Sequence, residues 1–283
     1  MELDFSNKNV DFKKKMISIS DVITMLKKPF DQEGVATNTY NKHFNNPESE
    51  YYQKSVAEIC EMWSNKGATS RHYGQLLDDY IGCTLTGTEE DMELYKLDND
   101  IEGDKRLSSI IESFEKFYAL VNRSGDMEFV TREKTVYLPM GDYYVKGRFD
   151  ALFRNKRTGK YVIIDWKSND EIKKDRKPWT ENLLGPANIY PELDWYTYTL
   201  QLYFYKTALV ESGYLPEGTK IEDVEVMLVQ LPGHICPSGQ MYEIYRPAFM
   251  YDRELLGRIF DFAFKKKQLL VKKEEKNIEP KNE

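Results

Sequence analysis

Two residues of opposite charge stand together at the end of an apolar segment. The segment Lys160-Tyr-Val-Ile-Ile-Asp-Trp-Lys167 is mostly apolar up to Ile164 and then carries Asp165 and Lys167. The pattern predicts a β-strand, and residues i and i+2 of a strand share one face of the sheet. Asp165 and Lys167 are therefore expected on the same face. Taken alone, an acid and a lysine at this spacing form an ion pair at the end of a strand.

A third charged residue, Asp150, turns this pair into a candidate for catalysis. It ends the segment Gly147-Arg-Phe-Asp150 in the preceding predicted strand, and a hairpin between the two strands brings it towards Asp165. Two adjacent carboxylates repel each other unless a positive group lies between them. A hard divalent cation bound through oxygen ligands meets that need, and such a cation polarises a phosphate for in-line displacement. Lys167 would then orient or activate a water molecule. The three side chains predict a site for phosphodiester hydrolysis.

The order of these residues resembles the signature of the PD-(D/E)xK nucleases. In that signature one acid precedes an acid-x-lysine on the next strand, as Asp150 precedes Asp165-Trp-Lys167. Gln201-Leu-Tyr-Phe-Tyr205 resembles the Gln-x-x-x-Tyr helix motif of the RecB-like branch, in which both side chains share one helix face. His72 is similar to the helix-borne histidine of the same branch, and Gly147 matches its glycine before the first acid.

The segment Ile17–Leu26 also resembles the N-terminal segment of the mitochondrial genome maintenance exonucleases and their phage relatives. Those enzymes prefer single-stranded DNA. The resemblance as a whole covers roughly residues 17–215.

The resemblance implies a bound Mg²⁺ or Mn²⁺. The implied metal ligands are Asp150, Asp165, the backbone carbonyl of Trp166, His72 and Glu133. The sequence departs from the family near His72, because Leu76 stands where an acidic residue is usual.

The resemblance also implies roles for three residues around the metal. Lys167 would position the attacking water or stabilise the transition state. Gln201 and Tyr205 would organise the site and contact the nucleic-acid backbone. Hydrolysis would proceed by a metal-activated water without a covalent intermediate.

A basic segment follows the acid-x-lysine strand. Its charged residues are Lys173, Lys174, Arg176 and Lys177, within a predicted loop over residues 169–190. Runs of like charge are usually solvated, but the position of this run makes it our candidate for binding phosphates. Trp179, Trp195 and Tyr196 follow in the sequence. They either stack on exposed bases or belong to the core.

The elements that must position these residues follow from hydrophobic periodicity and turn signals. Helices are expected early in the chain, followed by strands with one helix among them and a final helix. We place helices within 17–26 (with Ser20 as N-cap), 52–63, 69–81, 107–121, 193–211 and 252–271, strands over 128–138, 143–153, 160–167, 222–231 and 240–246, and loops over 31–50 and 86–106.

This order predicts an α/β (α+β) fold. The resemblance specifies it as a restriction-endonuclease-like central mixed β-sheet flanked by helices, with a helical N-terminal part. We assign residues 1–125 to a helical region that contributes to the active site and 126–283 to the nuclease core, the two forming one compact catalytic unit.

Composition restricts the class of protein. A chain of 283 residues can form one large domain or two small ones, and a net charge of −7 excludes a wholly basic surface but allows a local basic channel. No apolar run approaches about 18 residues, and the N-terminus carries no secretion signal or transit peptide. We therefore expect a cytoplasmic protein without membrane contact, from a bacterium or a phage-infected cell.

Two cofactors are not expected. Three cysteines cannot supply the four ligands of an iron–sulfur cluster. The sequence has no P-loop and hence no ATP site, so a helicase or recombination partner would be a separate polypeptide.

The function that these observations favour is a Mg²⁺- or Mn²⁺-dependent deoxyribonuclease, an exonuclease acting on single-stranded DNA or DNA ends. The alternatives are a structure-selective endonuclease of the same superfamily, a catalytically silent nucleic-acid-binding subunit, and a structural protein with a fortuitous motif. Asp150, Asp165 and Lys167 disfavour the silent subunit, because a binding module has little need for two unneutralised carboxylates facing DNA.

Overall fold

The computed structural model describes residues 3–7, 9–247 and 252–278, with side chains as far as residue 273. The chain divides into two units: Met1–Lys28 together with Glu112–Glu283, and Pro29–Ile111. The described elements in chain order are β1 (Lys15–Ser18), α1 (Ile19–Leu26), α2 (Gln32–His43), α3 (Val56–Thr86), α4 (Glu89–Asp98), α5 (Lys105–Ser124), β2 (Met127–Arg132), β3 (Thr135–Pro139), β4 (Tyr143–Arg148), β5 (Ala151–Asn155), β6 (Tyr161–Lys167), α6 (Asp194–Glu211), β7 (Val224–Gln230), β8 (Glu243–Tyr245) and α7 (Arg253–Ile278). Among the described helices, none combines the length and the apolar character that crossing a membrane requires.

The first unit is built on a five-stranded mixed sheet with the order β2-β5-β6-β7-β8. Strand β6 is antiparallel to β5 and parallel to β7. It lies at the centre and is buried from Tyr161 to Trp166, which explains why its sequence is almost continuously apolar. The expected α+β class with a mixed central sheet flanked by helices is confirmed.

Each face of β6 packs against a different helix. Ile163, on the same face as Asp165 and Lys167, belongs to the hydrophobic core that contains the apolar residues of α6. Trp166 points to the opposite face, where its ring lies 5.8 Å from that of Phe114 and 5.6 Å from that of Phe117 on α5. The strict alternation of a strand thus separates the charged pair from the aromatic packing.

A second, three-stranded sheet has the order β1-β4-β3. Two of its strands, β3 and β4, are parts of longer strands that the sequence predicts as continuous. The predicted strand 128–138 is divided into β2 and β3, and the predicted strand 143–153 is divided into β4 and β5. Both long strands are wrong as predicted, because each turns a corner from one sheet into the other.

The two corners are tied together by their backbones. Glu133, between β2 and β3, has a φ of 49°. Its N–H donates a hydrogen bond of 3.0 Å to the carbonyl of Asp150, which lies between β4 and β5. A positive φ on a residue with a side chain is uncommon, and no glycine or proline marks this corner in the sequence. The corner places Asp150 immediately before the first residue of β5.

The first helix begins two residues earlier than predicted. Ser18, not Ser20, is the N-cap: its Oγ accepts a hydrogen bond from the Asp21 N–H, and the Asp21 carboxylate accepts one from the Ser18 N–H. This reciprocal capping box satisfies two backbone donors. Lys15–Ser18 form the short strand β1, parallel to β4, which the sequence analysis does not predict.

The second unit contains helices where two loops are predicted. Helix α2 lies within residues 31–50 and α4 lies within residues 86–106, so both loop predictions are wrong in part. Both helices are mostly polar, and hydrophobic periodicity therefore gives little signal. The two predicted helices 52–63 and 69–81 form the single helix α3, because Gly67 continues the helix instead of ending it.

Strands β5 and β6 are joined by a tight turn. The Asn155 side chain accepts hydrogen bonds of 3.0 Å from the N–H groups of Arg157 and Thr158. Gly159 adopts a φ of 75°, and the space that a Cβ atom would occupy there is open to 4 Å. Because Asp150 lies at the start of β5 and Asp165 near the end of β6, the turn lies at the opposite end of the hairpin from both acids.

Candidate active site

Asp150 and Asp165 lie side by side at one end of the central hairpin. Ala151 of β5 pairs with Ile164 of β6, so extending the antiparallel register by one residue sets Asp150 opposite Asp165. The Oδ2 atom of Asp150 accepts a hydrogen bond of 2.8 Å from the N–H of Trp166. The hairpin therefore brings the two acids together, as the sequence analysis expects.

Asp165 is a buried carboxylate. It is 1% exposed, and neither carboxylate oxygen has a hydrogen-bond partner of suitable geometry among the described residues. Among the described residues, the charged group in close contact with Asp165 is the Lys167 ammonium, which forms an ion pair with Oδ2. A buried charge is costly unless it is paired and its oxygens are satisfied. Asp165 therefore has capacity for a further positive ligand.

Lys167 is held as an ammonium ion. Burial lowers the pKa of Lys167, but the nearby carboxylates of Asp165 and Asp150 outweigh burial and raise the pKa above its ordinary value. The ammonium also lies 4.9 Å from the centre of the Tyr198 ring, a cation–π contact. As an ammonium Lys167 is a hydrogen-bond donor, which favours an orienting role over a proton-accepting one.

Gln201 and Tyr205 lie on the face of α6 that covers this end of the sheet. The Tyr205 hydroxyl donates a hydrogen bond of 2.6 Å to the carbonyl of Arg148 and accepts one of 2.8 Å from Gln201 Nε2. Tyr205 is buried, and burial raises the pKa of its phenol. The pair thus fixes the backbone two residues before Asp150. The predicted contact of Gln201 and Tyr205 with a nucleic-acid backbone stays a prediction.

Gly147 allows α6 to lie directly against β4. A Cβ atom at this position would lie 2.7 Å from Phe204 Cε1 and 2.9 Å from both Tyr205 Cε1 and Ile19 Cγ2. Carbon atoms in contact are normally about 3.5–4.0 Å apart. The glycine is therefore required for close packing, and this explains its place three residues before Asp150.

Glu133 lies beside Asp150, because its N–H donates a hydrogen bond to the Asp150 carbonyl. Its carboxylate, however, is engaged with two arginines. Its oxygens lie 3.3 Å from Arg132 Nη2 and 3.3 Å from Arg148 Nη2. Together with the backbone bond to Asp150, this gives Glu133 a structural part in the corner. Its role as a metal ligand stays a prediction.

His72 lies in the second unit, on α3. Its side chain is exposed, and its ring centre is 5.8 Å from that of Tyr73. The predicted role of His72 as a metal ligand stays a prediction.

The basic residues after β6 lie in a loop with defined contacts, Ser168–Glu181, which we call the basic loop. The Lys173 carbonyl accepts a hydrogen bond of 3.1 Å from the Trp195 N–H. The ammonium of Lys174 lies 5.5 Å from the centre of the Tyr245 ring, and that of Lys177 lies 5.7 Å from the centre of the Trp179 ring. The structure thus brings two of the predicted phosphate-binding residues onto aromatic rings. Arg176 lies in the same loop and is exposed.

The three aromatic residues near the basic loop differ in exposure. Trp195 packs edge-on against Tyr245 at 5.6 Å, and Tyr196 stacks on Tyr190 at 5.6 Å. Trp179 is 76% exposed. Trp195 and Tyr196 are partly buried and pack against other rings of the protein, whereas the ring of Trp179 is open to a ligand.

Gln230 is a functional candidate that the sequence analysis does not predict. It is 4% exposed and pairs with Lys167 in the register of β6 and β7. Its Nε2 donates hydrogen bonds of 2.9 Å to the carbonyls of Asn169 and Asp170, and its Oε1 accepts one of 3.0 Å from the Tyr245 hydroxyl. Gln230 therefore anchors the start of the basic loop. A glutamine at the end of an apolar strand is the signal that could have identified it.

Tyr198 is a second such candidate. It contacts the Lys167 ammonium through its ring, and its hydroxyl donates a hydrogen bond of 3.3 Å to Asn169 Oδ1. Tyr198 lies three residues before Gln201 and seven before Tyr205, a spacing that puts all three on one helix face.

The donor atoms at this end of the hairpin suit a hard divalent cation. Among the described residues no three His, Cys, Asp or Glu side chains cluster as metal ligands. Asp150 and Asp165 nevertheless supply carboxylate oxygens, the donor type that Mg²⁺ and Mn²⁺ prefer. The buried, unsatisfied oxygens of Asp165 fit such an ion. The predicted role of the Trp166 carbonyl as a further ligand stays a prediction.

Comparison with known proteins does not identify a family. No family model matches the chain, and no curated protein matches it. Solved structures that resemble it include a protein of Eubacterium rectale described as a candidate exonuclease, with 14% identity, a TM-score of 0.46, and coverage of 99% of this chain and 89% of that chain. They also include the protein SSO0001, with 13% identity, a TM-score of 0.37, and coverage of 92% of this chain and 80% of that chain. Both TM-scores are low, so neither structure contributes to the argument about function.

Proposed function

We propose that the protein is a divalent-metal-dependent deoxyribonuclease that hydrolyses phosphodiester bonds. The observation that carries the proposal is the juxtaposition of Asp150 and Asp165 with the Lys167 ammonium, in which the buried Asp165 oxygens have no hydrogen-bond partner among the described residues. A structural ion pair needs no second carboxylate, whereas a metal-dependent hydrolase does. The resemblance in motif order supports the same conclusion.

Asp150, Asp165 and the Trp166 carbonyl would hold Mg²⁺ or Mn²⁺, and His72 and Glu133 remain candidates for further ligands. When bound, the cation polarises the phosphate and lowers the pKa of a water molecule. We propose no iron–sulfur cluster and no ATP site, as expected from the sequence.

The chain's own residues supply charge and orientation. The Lys167 ammonium lies beside Asp165 and donates hydrogen bonds towards the attacking water or a phosphate oxygen, while the Tyr198 ring limits its movement. Tyr205 and Gln201 hold the backbone before Asp150, so that the carboxylate keeps its position opposite Asp165. Such preorganisation makes a large contribution to rate in hydrolytic enzymes.

We propose an exonuclease that acts on single-stranded DNA or DNA ends, in the cytoplasm of a bacterium or phage-infected cell. A separate helicase or recombination protein would provide the single strand. The substrate preference rests on the resemblance of Ile17–Leu26 and on the exposed Trp179 beside a lysine.

The test compares labelled linear and circular DNA, single-stranded and duplex, in Mg²⁺, Mn²⁺ or EDTA. Asp150→Asn is the informative variant, because asparagine can still accept the hydrogen bond from the Trp166 N–H. Asp142→Asn, an exposed acid in the turn between β3 and β4, is the matched control. We expect metal-dependent degradation of linear single strands that is lost in Asp150→Asn and kept in Asp142→Asn.

Two results would redirect the proposal. Cleavage of circular DNA would establish an endonuclease. Binding of DNA without cleavage in any metal would establish a catalytically silent subunit and refute the nuclease.

A further inference from the structure

The basic loop carries an aromatic side chain that the fold does not use. Trp179 is 76% exposed, the highest exposure of the large rings described in the first unit. Exposing a tryptophan forgoes the burial of a large apolar surface. The exposed ring therefore contributes little to the stability of the fold, and its face is open to a ligand.

A hydrogen-bonded turn presents Trp179 to solvent. The Lys177 N–H donates a hydrogen bond of 3.0 Å to Thr180 Oγ1, and the Thr180 N–H donates one of 2.9 Å to the Lys177 carbonyl. The next residue, Glu181, forms an ion pair of 2.7 Å with Lys28. The ring is thus held outward by a defined turn.

A cation accompanies the ring. The Lys177 ammonium lies 5.7 Å from the centre of the Trp179 ring. A flat aromatic face with a lysine beside it suits a ligand that has a flat face and an adjacent anion. A nucleotide with an unpaired base has both, because the base stacks on the ring and the phosphate pairs with the ammonium.

Contacts connect the loop to the acid site. The Lys174 ammonium lies over the Tyr245 ring, Tyr245 donates a hydrogen bond to Gln230, and Gln230 pairs with Lys167 in the sheet. Trp179 follows Lys174 by five residues, a reach of at most about 18 Å at 3.3–3.6 Å per residue. The loop that presents Trp179 is therefore linked, through Lys174, Tyr245 and Gln230, to the strand that carries Asp165 and Lys167.

We propose that Trp179 and Lys177 form a subsite that binds an unpaired nucleotide of the substrate strand, with Lys174 on the path to the acid pair. This inference rests on the proposed function and names the part of the substrate that the site selects. Paired bases keep their faces stacked inside the duplex, so the subsite favours single-stranded over duplex DNA.

The test measures binding in EDTA, so that no strand is cut. Fluorescence anisotropy of a labelled 20-nucleotide single strand and of a blunt hairpin duplex is compared between the wild type and Trp179→Ala. We expect the variant to bind the single strand about five-fold or more weakly, the scale of one lost base–aromatic stack, and to bind the duplex as the wild type does. Ile235→Ala removes another exposed apolar side chain outside the basic loop and should bind both like the wild type.

An abasic scan locates the stacked base. Single abasic positions are moved along the strand, and one position should weaken binding by the wild type but not by Trp179→Ala. Trp179→Phe, which keeps a ring, should restore most of the affinity. Lys177→Gln should remove one phosphate contact. The slope of the logarithm of the single-strand binding constant against the logarithm of the salt concentration should therefore become shallower by about 0.7.

The outcomes separate the two proposals. If the wild type binds no nucleic acid in EDTA and cleaves none in Mg²⁺ or Mn²⁺, the proposed function and the subsite both fail; if it cleaves in metal but binds no single strand in EDTA, the subsite alone fails. If Trp179→Ala binds the single strand as well as the wild type does, or weakens single-strand and duplex binding equally, the subsite fails and the nuclease proposal stands.

Discussion

Replacing Gly147 with alanine tests whether the approach of α6 to β4 sets the site. The added Cβ would lie 2.7 Å from Phe204 Cε1 and 2.9 Å from both Tyr205 Cε1 and Ile19 Cγ2. All three distances are shorter than carbon–carbon contact by about half an ångström or more, and all three partners are buried. Overpacking of this kind costs about 1–3 kcal/mol of unfolding free energy. The helix or the strand must shift, and Tyr205 moves with it.

For a unit of this size, such a loss lowers the unfolding midpoint by about 2–12 °C. Thermal unfolding by circular dichroism measures this change, and cleavage of labelled single-stranded DNA at a temperature where the variant is folded measures the effect on the site. We expect Gly147→Ala to lose stability and to cleave more slowly, because Tyr205 holds the backbone before Asp150.

The matched control is Gly257→Ala, in α7 of the same unit. A Cβ at Gly257 would meet its nearest atom, Arg253 Nη1, at 3.4 Å, and alanine is favoured over glycine inside a helix by roughly 1 kcal/mol. This control should be as stable as the wild type or more so. A Gly147→Ala protein with unchanged midpoint and activity would refute the reasoning that the glycine is required for close packing.

Three further predictions concern neighbouring groups. Tyr205→Phe should lower the unfolding free energy by about 1–3 kcal/mol in a denaturant titration, because the Arg148 carbonyl and the Gln201 amide lose their partner; an unchanged value would contradict the positioning role. Gln230→Leu should speed amide hydrogen exchange at the start of the basic loop and slow cleavage, since two backbone carbonyls lose their donor; unaltered exchange would show that the loop is held by other contacts. Mn²⁺ at a hundred times its Kd should stabilise the wild type by about 2.7 kcal/mol but leave Asp150→Asn unchanged, and equal stabilisation of both would place the ion elsewhere.

Much of the central hairpin could be predicted from the sequence. The apolar run ending in Asp165 and Lys167 predicts strand β6, and period-two alternation puts both charges on one face. The observed contacts of Lys167 with Asp165 and Tyr198 lie on that face. Alternation along β6 was sufficient to predict the shared face of Asp165 and Lys167, because the strand is buried and has no break.

The corners could not be predicted, because they depend on contacts between distant residues. Glu133 adopts a positive φ where no glycine marks a turn, and its backbone bonds to Asp150 across the two sheets. Residues 131–135 are all polar but include no glycine, proline, asparagine or aspartate, so the sequence indicates a single long strand. Tertiary hydrogen bonding decides the break.

The polar helices of the second unit escaped prediction for a different reason. The caps of α2 and α4 are visible in the sequence, at Asp31 and at Thr88 with Asp91. Without an apolar stripe, however, these signals did not outweigh the polar composition. In such segments the capping residues are a better guide to helix formation than hydrophobicity is.

The turn between β5 and β6 offers a practical position for a reporter. Asn155 to Gly159 are separated from the acid pair by the length of the hairpin, about 15 Å at 3.3 Å per residue. A tetracysteine dye tag or a small fluorescent domain inserted there would leave both acids in register, since exposed hairpin turns tolerate insertion. A single residue inserted between the turn and Asp165 would instead rotate the charged pair to the α5 face. The same hairpin thus contains one position that accepts a foreign domain and, a few residues away, positions where a single added residue would abolish the site.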